Sequence, residues 1–309
     1  MLLNLLNTYS EPFGIITMYG CSGFYNKATR TALPWSTVAG TLVLATNRKY
    51  LQLSLENENV TAIIIPDTLS LKENEAELIG KEKALIISEK ASELFYTIHN
   101  KKIHRQSDSS LIQTYISDDA VISPTAVIDD NVHIGAGTTI GPGAVILSNT
   151  YIGNNTVIGA NVVIGEDGIF PHEIQGNKTH IHHFGGVRIG NNCRVHAHCS
   201  IARSTYFNEF TTIEDDNYLG FHTSIGHDCY LKEGTTISAK AAIAGRTVVG
   251  KKCWIGVGAI INNTVTIGDE ASIKLGAVVI NDIPAGADYS GNFAIPHNKN
   301  LLNMARLRK

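Results

Sequence analysis

Charge is scarce in this chain. Of 309 residues, 17% are Asp, Glu, Lys or Arg, against about 25% in ordinary soluble domains. The signs nearly balance, with 25 Lys plus Arg against 28 Asp plus Glu and a formal charge of −3. A chain without basic excess is not built as a nucleic-acid binder. Long apolar runs are missing too. None approaches the ~18 residues of a membrane span, so no integral membrane association is expected. The five cysteines, Cys21, Cys193, Cys199, Cys229 and Cys253, are odd in number and form no CxxC pair. They read as buried free thiols in a reducing cytoplasm. The opening MLLNLLNTYSEPFG lacks a basic leader and a small-residue cleavage site, and it reads as mature protein. With 43% hydrophobic residues the chain has ample material for a core and is too apolar for disorder.

Glycine is plentiful, at 28 against eight prolines, and isoleucine recurs at a fixed period. Isoleucine stands at 122, 128, 134, 140, 146, 152, 158 and 164. After a break an aliphatic or Phe residue recurs every six positions from Ile189 to Val279, Phe207 among them. A period of six fits neither a lone helix nor an alternating strand. It fits a solenoid with one short flat strand and one corner per hexapeptide, about 18 residues to a three-sided coil. The fold expected is mainly β: a left-handed parallel β-helix with a small N-terminal α/β domain and a short C-terminal helical tail.

Residues 1–105 form the α/β part of that expectation. Leu42–Ala45, Val60–Pro66 and Ala84–Ser88 read as strands, and Ala91–His104 as a helix with Leu94, Phe95 and Ile98 on one face. Ser107–Ser110 reads as a linker. The β-helix is expected over 106–285 and a tail over 286–309, where Leu301, Leu302, Met304 and Leu307 suggest a capping helix. The break at 168–186, GIFPHEIQGNKTHIHHFGG, is polar and His-rich. It is either an ordered surface excursion or a wall of a site at a subunit boundary.

Residues one coil apart become neighbours in space. On an 18-residue count, His227 has Glu209 one coil below and Gly245 one coil above. A carboxylate can hold an imidazole in one tautomer, and a glycine N–H can meet a developing oxyanion. That trio is equipment for acyl transfer. The alternative is a histidine on a solvated outer face. The column His196, Glu214, Lys232 reads as a ladder of polar partners. His180, His182, His183, His196, His198 and His222 invite a zinc hypothesis. However, the position five after His227, a histidine in hexapeptide carbonic anhydrases, is Lys232 here, and no metal is expected.

These residues resemble a known family. The phased hexapeptides, Glu166-Asp167-Gly168, Gly185-Gly186-Val187-Arg188-Ile189-Gly190 and Ile225-Gly226-His227-Asp228 are similar to UDP-3-O-acylglucosamine N-acyltransferase (LpxD-like) enzymes of lipid A synthesis. Leu44-Ala45-Thr46-Asn47-Arg48-Lys49-Tyr50 resembles that family's uridine-binding segment, with Asn47 and Tyr50 at its spacing. The resemblance implies a cytoplasmic homotrimer in which residues 1–105 bind uridine. It makes His227 the general base for a UDP-linked amino sugar and Gly245 N–H the oxyanion donor. The acyl thioester would come from acyl carrier protein or CoA, with no further cofactor. Thr264 stands where the family has a second histidine, Leu44 where it has an aromatic, and Ile201-Ala202-Arg203-Ser204 where it has Ile-Asp-Arg-Gly. The tail is also shorter. An acetyl-CoA-dependent N-acetyltransferase and a non-catalytic sugar-nucleotide binder are the alternatives.

Overall fold

The computed structural model describes residues 2–20, 22–73, 75, 79, 81–101, 112–291 and 296–307. The expected linker Ser107–Ser110 and Cys21 lie outside them. The N-terminal part is a five-stranded sheet of β1 (Ile15–Tyr19), β2 (Arg30–Ala32), β3 (Thr41–Leu44), β4 (Val60–Pro66) and β5 (Ala84–Ser88). Its order is β1-β5-β4-β3-β2, with only the β1–β5 pair antiparallel. The three strands legible in the sequence are the central ones, whose two buried faces require near-continuous apolar runs. Of the edge strands, β2 is only three residues long, and β1 is apolar but largely exposed.

Helix Ala91–Asn100 packs on this sheet through buried Leu94, Phe95 and Ile98. It stops short of the expected His104, and residues 102–104 lie outside the described set. Leu2–Tyr9 is helical with Leu2 and Leu6 buried, and His297–Leu307 forms the expected tail helix, its Leu302 exposed.

From Tyr115 to Tyr289 the chain winds as a left-handed parallel β-helix. Its three faces are parallel sheets of nine, eight and eight strands, most only two or three residues long. Stacked strands pair 18 positions apart, as Ile140 with Ile158 and Ile243 with Ile261. The inward residues from Val132 to Ile283 make one continuous buried cluster. Burying an Ile fully contributes about 1.5–3 kcal/mol, so the regular isoleucine is the principal force holding each coil. Many corners carry a left-handed residue, as at Asn155 (φ 53°) and Asn161 (φ 54°), where the short side chain of Asn is tolerated. Cys193, Cys199, Cys229 and Cys253 are free and buried.

Two interruptions break the 18-residue spacing. Ile164 pairs with Ile201, 37 positions on, because 168–186 leaves the coil. That segment carries a hairpin of Pro171–Ile174 and Asn177–His180. The second was not visible in the sequence: Ile201 pairs with Ile225, 24 positions on. Six extra residues near 203–208 bulge out, and an insertion of six preserves the phase of a six-residue repeat. Phe207 therefore does not enter the solenoid core, contrary to expectation. It lies beneath the Arg30 guanidinium, 5.4 Å from ring centroid to Cζ.

Both interruptions face the N-terminal sheet. Ile181 and Tyr206 join the cluster of Leu94, Phe95 and Ile98. His99 bridges the same seam, its Nε2 2.7 Å from the His182 carbonyl and its Nδ1 2.6 Å from Thr31 Oγ1. The neutral tautomer with Nε2–H satisfies both. Burial pushes the His99 imidazole down to about 4, the His182 bond opposing. An unfolded His titrates near 6.5, so between those values the unfolded chain binds a proton that the fold refuses. The stabilisation is complete above about pH 6.5 and is lost as pH falls toward 4, at about 1.4 kcal/mol per pH unit. Urea denaturation at stepped pH should show stability falling over this window, more shallowly in His99→Gln by about one proton. An unchanged slope in that variant would contradict the assignment.

Candidate active site

His227 follows the short strand Ser224–Ile225 at a corner of the prism, and Gly245 follows Ala242–Ile243 in the next coil. The regular register brings them together as the spacing predicted. A Cβ on Gly245 would lie 2.7 Å from His227 Nε2, closer than any side chain permits, so only glycine lets the imidazole lie against that backbone. The Gly245 N–H makes no backbone hydrogen bond among the described residues. Both residues line a cavity of about 680 Å³, floored by Ser224, Ala242 and Ile260 and walled by 166–170 at the start of the first interruption.

Glu209 does not stand beneath His227. The six-residue insertion shifts the register, so the position one coil below is Arg203. Glu209 instead receives a hydrogen bond from Ser36 Oγ across the seam with the N-terminal sheet, at 2.5 Å. Burial raises its pKa, the Ser36 bond opposing and the Asp228 charge adding. The carboxylate on this imidazole is its sequence neighbour Asp228: His227 Nδ1–H donates to Asp228 Oδ2 at 2.8 Å. Asp228 reaches back to the ring because it occupies the left-handed corner (φ 60°).

Asp228 is almost wholly buried and well supplied with donors. Ser204 Oγ donates to Oδ1 at 2.5 Å, Thr205 N to Oδ1 at 2.8 Å and Thr205 Oγ1 to Oδ2 at 2.9 Å. Arg246 Nε lies 3.6 Å from Oδ2. Burial alone would raise its pKa. The His227 hydrogen bond and charge, then Arg246 and Ser204, outweigh that and hold the carboxyl far below the usual range. Asp228 therefore stays ionised and fixes the His227 tautomer with the lone pair on Nε2. On an 18-residue count Asp228, Ser204, Thr205 and Arg246 have no role. Ser204 and Thr205 sit in the phase-preserving insertion, and Asp228 is beside its partner rather than a coil away.

The other expectations divide. His196 lies over Gly220 rather than Glu214, because the insertion falls between them. Glu214 and Lys232 keep their register, but Lys232 pairs with Asp269 (3.6 Å) and Glu214 accepts from Tyr230 Oη (2.5 Å). Asn47 Oδ1 accepts from Tyr50 N (3.0 Å) as the cap of helix Arg48–Glu56, while Tyr50 lies 5.8 Å from Trp35 between ring centroids. Neither residue lines the cavity. Thr264 is a corner residue (φ 61°) bonded to its neighbour's carbonyl, and Asn263 faces the cavity. Asp167, His180 and His183 bring potential metal-ligand atoms within 4.8 Å of one another. However, Asp167 Oδ2 already meets His180 Nε2 (3.1 Å), and Arg203 Nε is 3.7 Å from Oδ1.

With this geometry, similarity to known proteins can be placed. The bacterial transferase hexapeptide repeat matches residues 113–148 and 131–166, and the hexapeptide repeat of succinyl-transferase matches 246–280. The β-helix thus carries the hexapeptide repeat of bacterial transferases. No curated protein matches the chain. Among solved structures, UDP-N-acetylglucosamine acyltransferase from Campylobacter jejuni is 26% identical, covering 62% of this chain and 77% of its own, with a TM-score of 0.45. LpxA from Acinetobacter baumannii is 29% identical over 62% and 76%, TM-score 0.38. A mutant perosamine N-acetyltransferase from Caulobacter crescentus, in complex with CoA and GDP-perosamine, is 18% identical over 82% and 78%, TM-score 0.17. At these scores the likenesses say nothing about substrate.

Asp228→Asn tests the pairing. The amide keeps the shape but loses the charge that holds the tautomer and balances an imidazolium. We expect kcat of whatever reaction the site performs to fall at least a hundredfold, by analogy with the orienting carboxylate of serine proteases. Glu209→Gln should cost less than a tenth of that loss on the same assay. The reverse ranking would return the orienting role to Glu209.

Proposed function

We propose that this chain is an N-acyltransferase that moves an acyl group from a thioester to the amine of a UDP-linked amino sugar. The observation that carries the reading is the seating of one imidazole. His227 Nδ1 rests on buried, ionised Asp228, while Nε2 lies against Gly245 at the edge of an open cavity. The amine nitrogen attacks the thioester carbonyl as His227 Nε2 takes its proton. The oxygen gains the negative charge and receives the Gly245 N–H. Collapse of that intermediate forms the amide, breaks the C–S bond and returns the proton from His227 to the leaving thiolate. General-base transfer of this kind contributes about 10²–10⁴ in rate, and one oxyanion donor about 10²–10³. No cofactor is required beyond the thioester.

The resemblance to LpxD-like enzymes favours a UDP-amino sugar, with Asn47 and Tyr50 as uridine contacts. The side-chain amide N–H of Asn47 is not used in its helix cap, and the Tyr50 ring stands beside exposed Trp35. Trp35 offers an aromatic surface although Leu44 does not. A homotrimer is favoured by a ridge down one prism edge, where Phe221, Val257 and Leu275 are exposed and stacked with Ala239 at 18-residue intervals. Such a continuous apolar stripe marks an interaction surface. Among the described residues no helix is long and apolar enough to cross a membrane.

The direct test measures thiol release from acyl-carrier-protein and CoA thioesters offered with a panel of UDP-amino sugars. Wild-type protein is expected to turn over with at least one pair, and His227→Ala to lose 10²-fold or more while its trimer persists by light scattering. Wild-type-like turnover in the variant would refute the assignment. Binding of UDP-sugars with no thioester consumed would instead favour a non-catalytic relative.

A further inference from the structure

The chemistry above leaves His183 without a task, although it is packed on the base. Its side chain has no exposed surface. Its ring stands at right angles to that of His227, centroids 5.2 Å apart at 86°. His183 Nδ1 lies 2.9 Å from the Ile181 carbonyl, so Nδ1 carries the hydrogen and Nε2 the lone pair. That Nε2 is buried and meets no hydrogen-bond partner among the described residues, a condition that ordinarily destabilises a fold. A Cβ on Gly168 would fall 3.2 Å from His183 Nε2 and 2.9 Å from His227 Cδ2. The orphan nitrogen and the edge of the base therefore flank the same bare stretch of backbone. Phe170 stacks on the His227 ring from the same segment, centroids 5.2 Å apart at 29°.

We propose that His183 is a positioning residue for His227: its ring fixes the plane of the base, and its unpartnered lone pair stabilises the imidazolium that forms as the substrate proton arrives. The inference rests on the general-base role proposed for His227. In a desolvated site a fixed dipole beside a transient cation is worth more than in water. His183 neither gains nor loses a proton in the cycle. Burial presses its own titration down to about 4, so the lone pair is present at neutral pH. The charged or titratable groups around the pair are Asp228 and Arg246 on the β-helix, Asp167 just before the first interruption and His180 on it, Arg203 on the second and His99 on helix Ala91–Asn100. None of them bonds to His183 Nε2. A buried unpaired acceptor beside a ring that must become cationic is otherwise an unrelieved cost.

His183→Phe keeps an aromatic ring and removes the lone pair, while His183→Gln returns a polar acceptor. In the Phe variant kcat is expected to fall about tenfold, the scale of lost orienting partners, with KM little changed. The acid limb of kcat/KM should move to lower pH, because the imidazolium has lost a stabilising neighbour. NMR titration of the His227 ring in substrate-free protein should show the same downward move, and the Gln variant should lie nearer wild type in both. If the Phe variant does not fold, His183→Asn, with its shorter amide, is expected to show the same move. Wild-type kcat, or an unmoved His227 titration in the folded variant, overturns the proposal. The NMR readout needs no substrate, so inactivity of wild-type protein on every thioester would count against the proposed function and leave His183 to be judged separately.

Discussion

The backbone ladder between coils is the interaction on which everything else depends. Parallel strands stand about 4.8 Å apart, and here each stacked pair is held in register by hydrogen bonds such as Gly226 N to Ile243 O and Ala244 N to Ile261 O. Inward isoleucines lock that register, because a slip would turn buried side chains outward. Side chains at corresponding positions of successive coils are therefore delivered to one place with little freedom. His227 and Gly245 meet for that reason alone. Asp228 completes the group from within the same corner by adopting a left-handed backbone that sends its carboxylate back to the ring.

The interruptions have a second effect. A regular prism buries its apolar residues within itself and leaves only shallow outer faces. The 168–186 segment raises a wall over one face and turns it into a cavity, contributing Gly168, Ile169 and Phe170 to the lining beside Asp167. The shorter insertion supplies Ser204 and Thr205 to Asp228 and sends Tyr206 into the core of the N-terminal sheet. Ser36–Glu209 and His99–His182 tie that sheet to the same two segments. Site and seam thus share residues, and disturbing the docking of the N-terminal sheet also disturbs the support of His227.

Much of this was legible in the amino-acid sequence, for a physical reason. A six-residue hydrophobic period has few structural solutions, and it specified the β-helix, its inward residues and the pairing of His227 with Gly245. The long central strands β4 and β5 were legible because burial on two faces leaves an unbroken apolar run. What escaped was phase-neutral or local. A six-residue insertion leaves the period intact, so Phe207 passed for a core position and Glu209 for the partner of His227. Asp228 escaped because column counting looks a coil away, whereas its reach depends on a single positive φ. His183 was one of several histidines in a polar loop, and nothing in the spacing marked it as the buried one.

The central claim is that this register presents an imidazole and a peptide N–H to one thioester carbonyl. A crystal structure with a non-hydrolysable pantetheine thioester analogue tests it most directly. The account predicts the analogue's carbonyl oxygen about 3 Å from Gly245 N, with His227 Nε2 facing the position an amine would attack from. An analogue seated away from both residues, with the cavity between 166–170 and the prism face left to solvent, would contradict it.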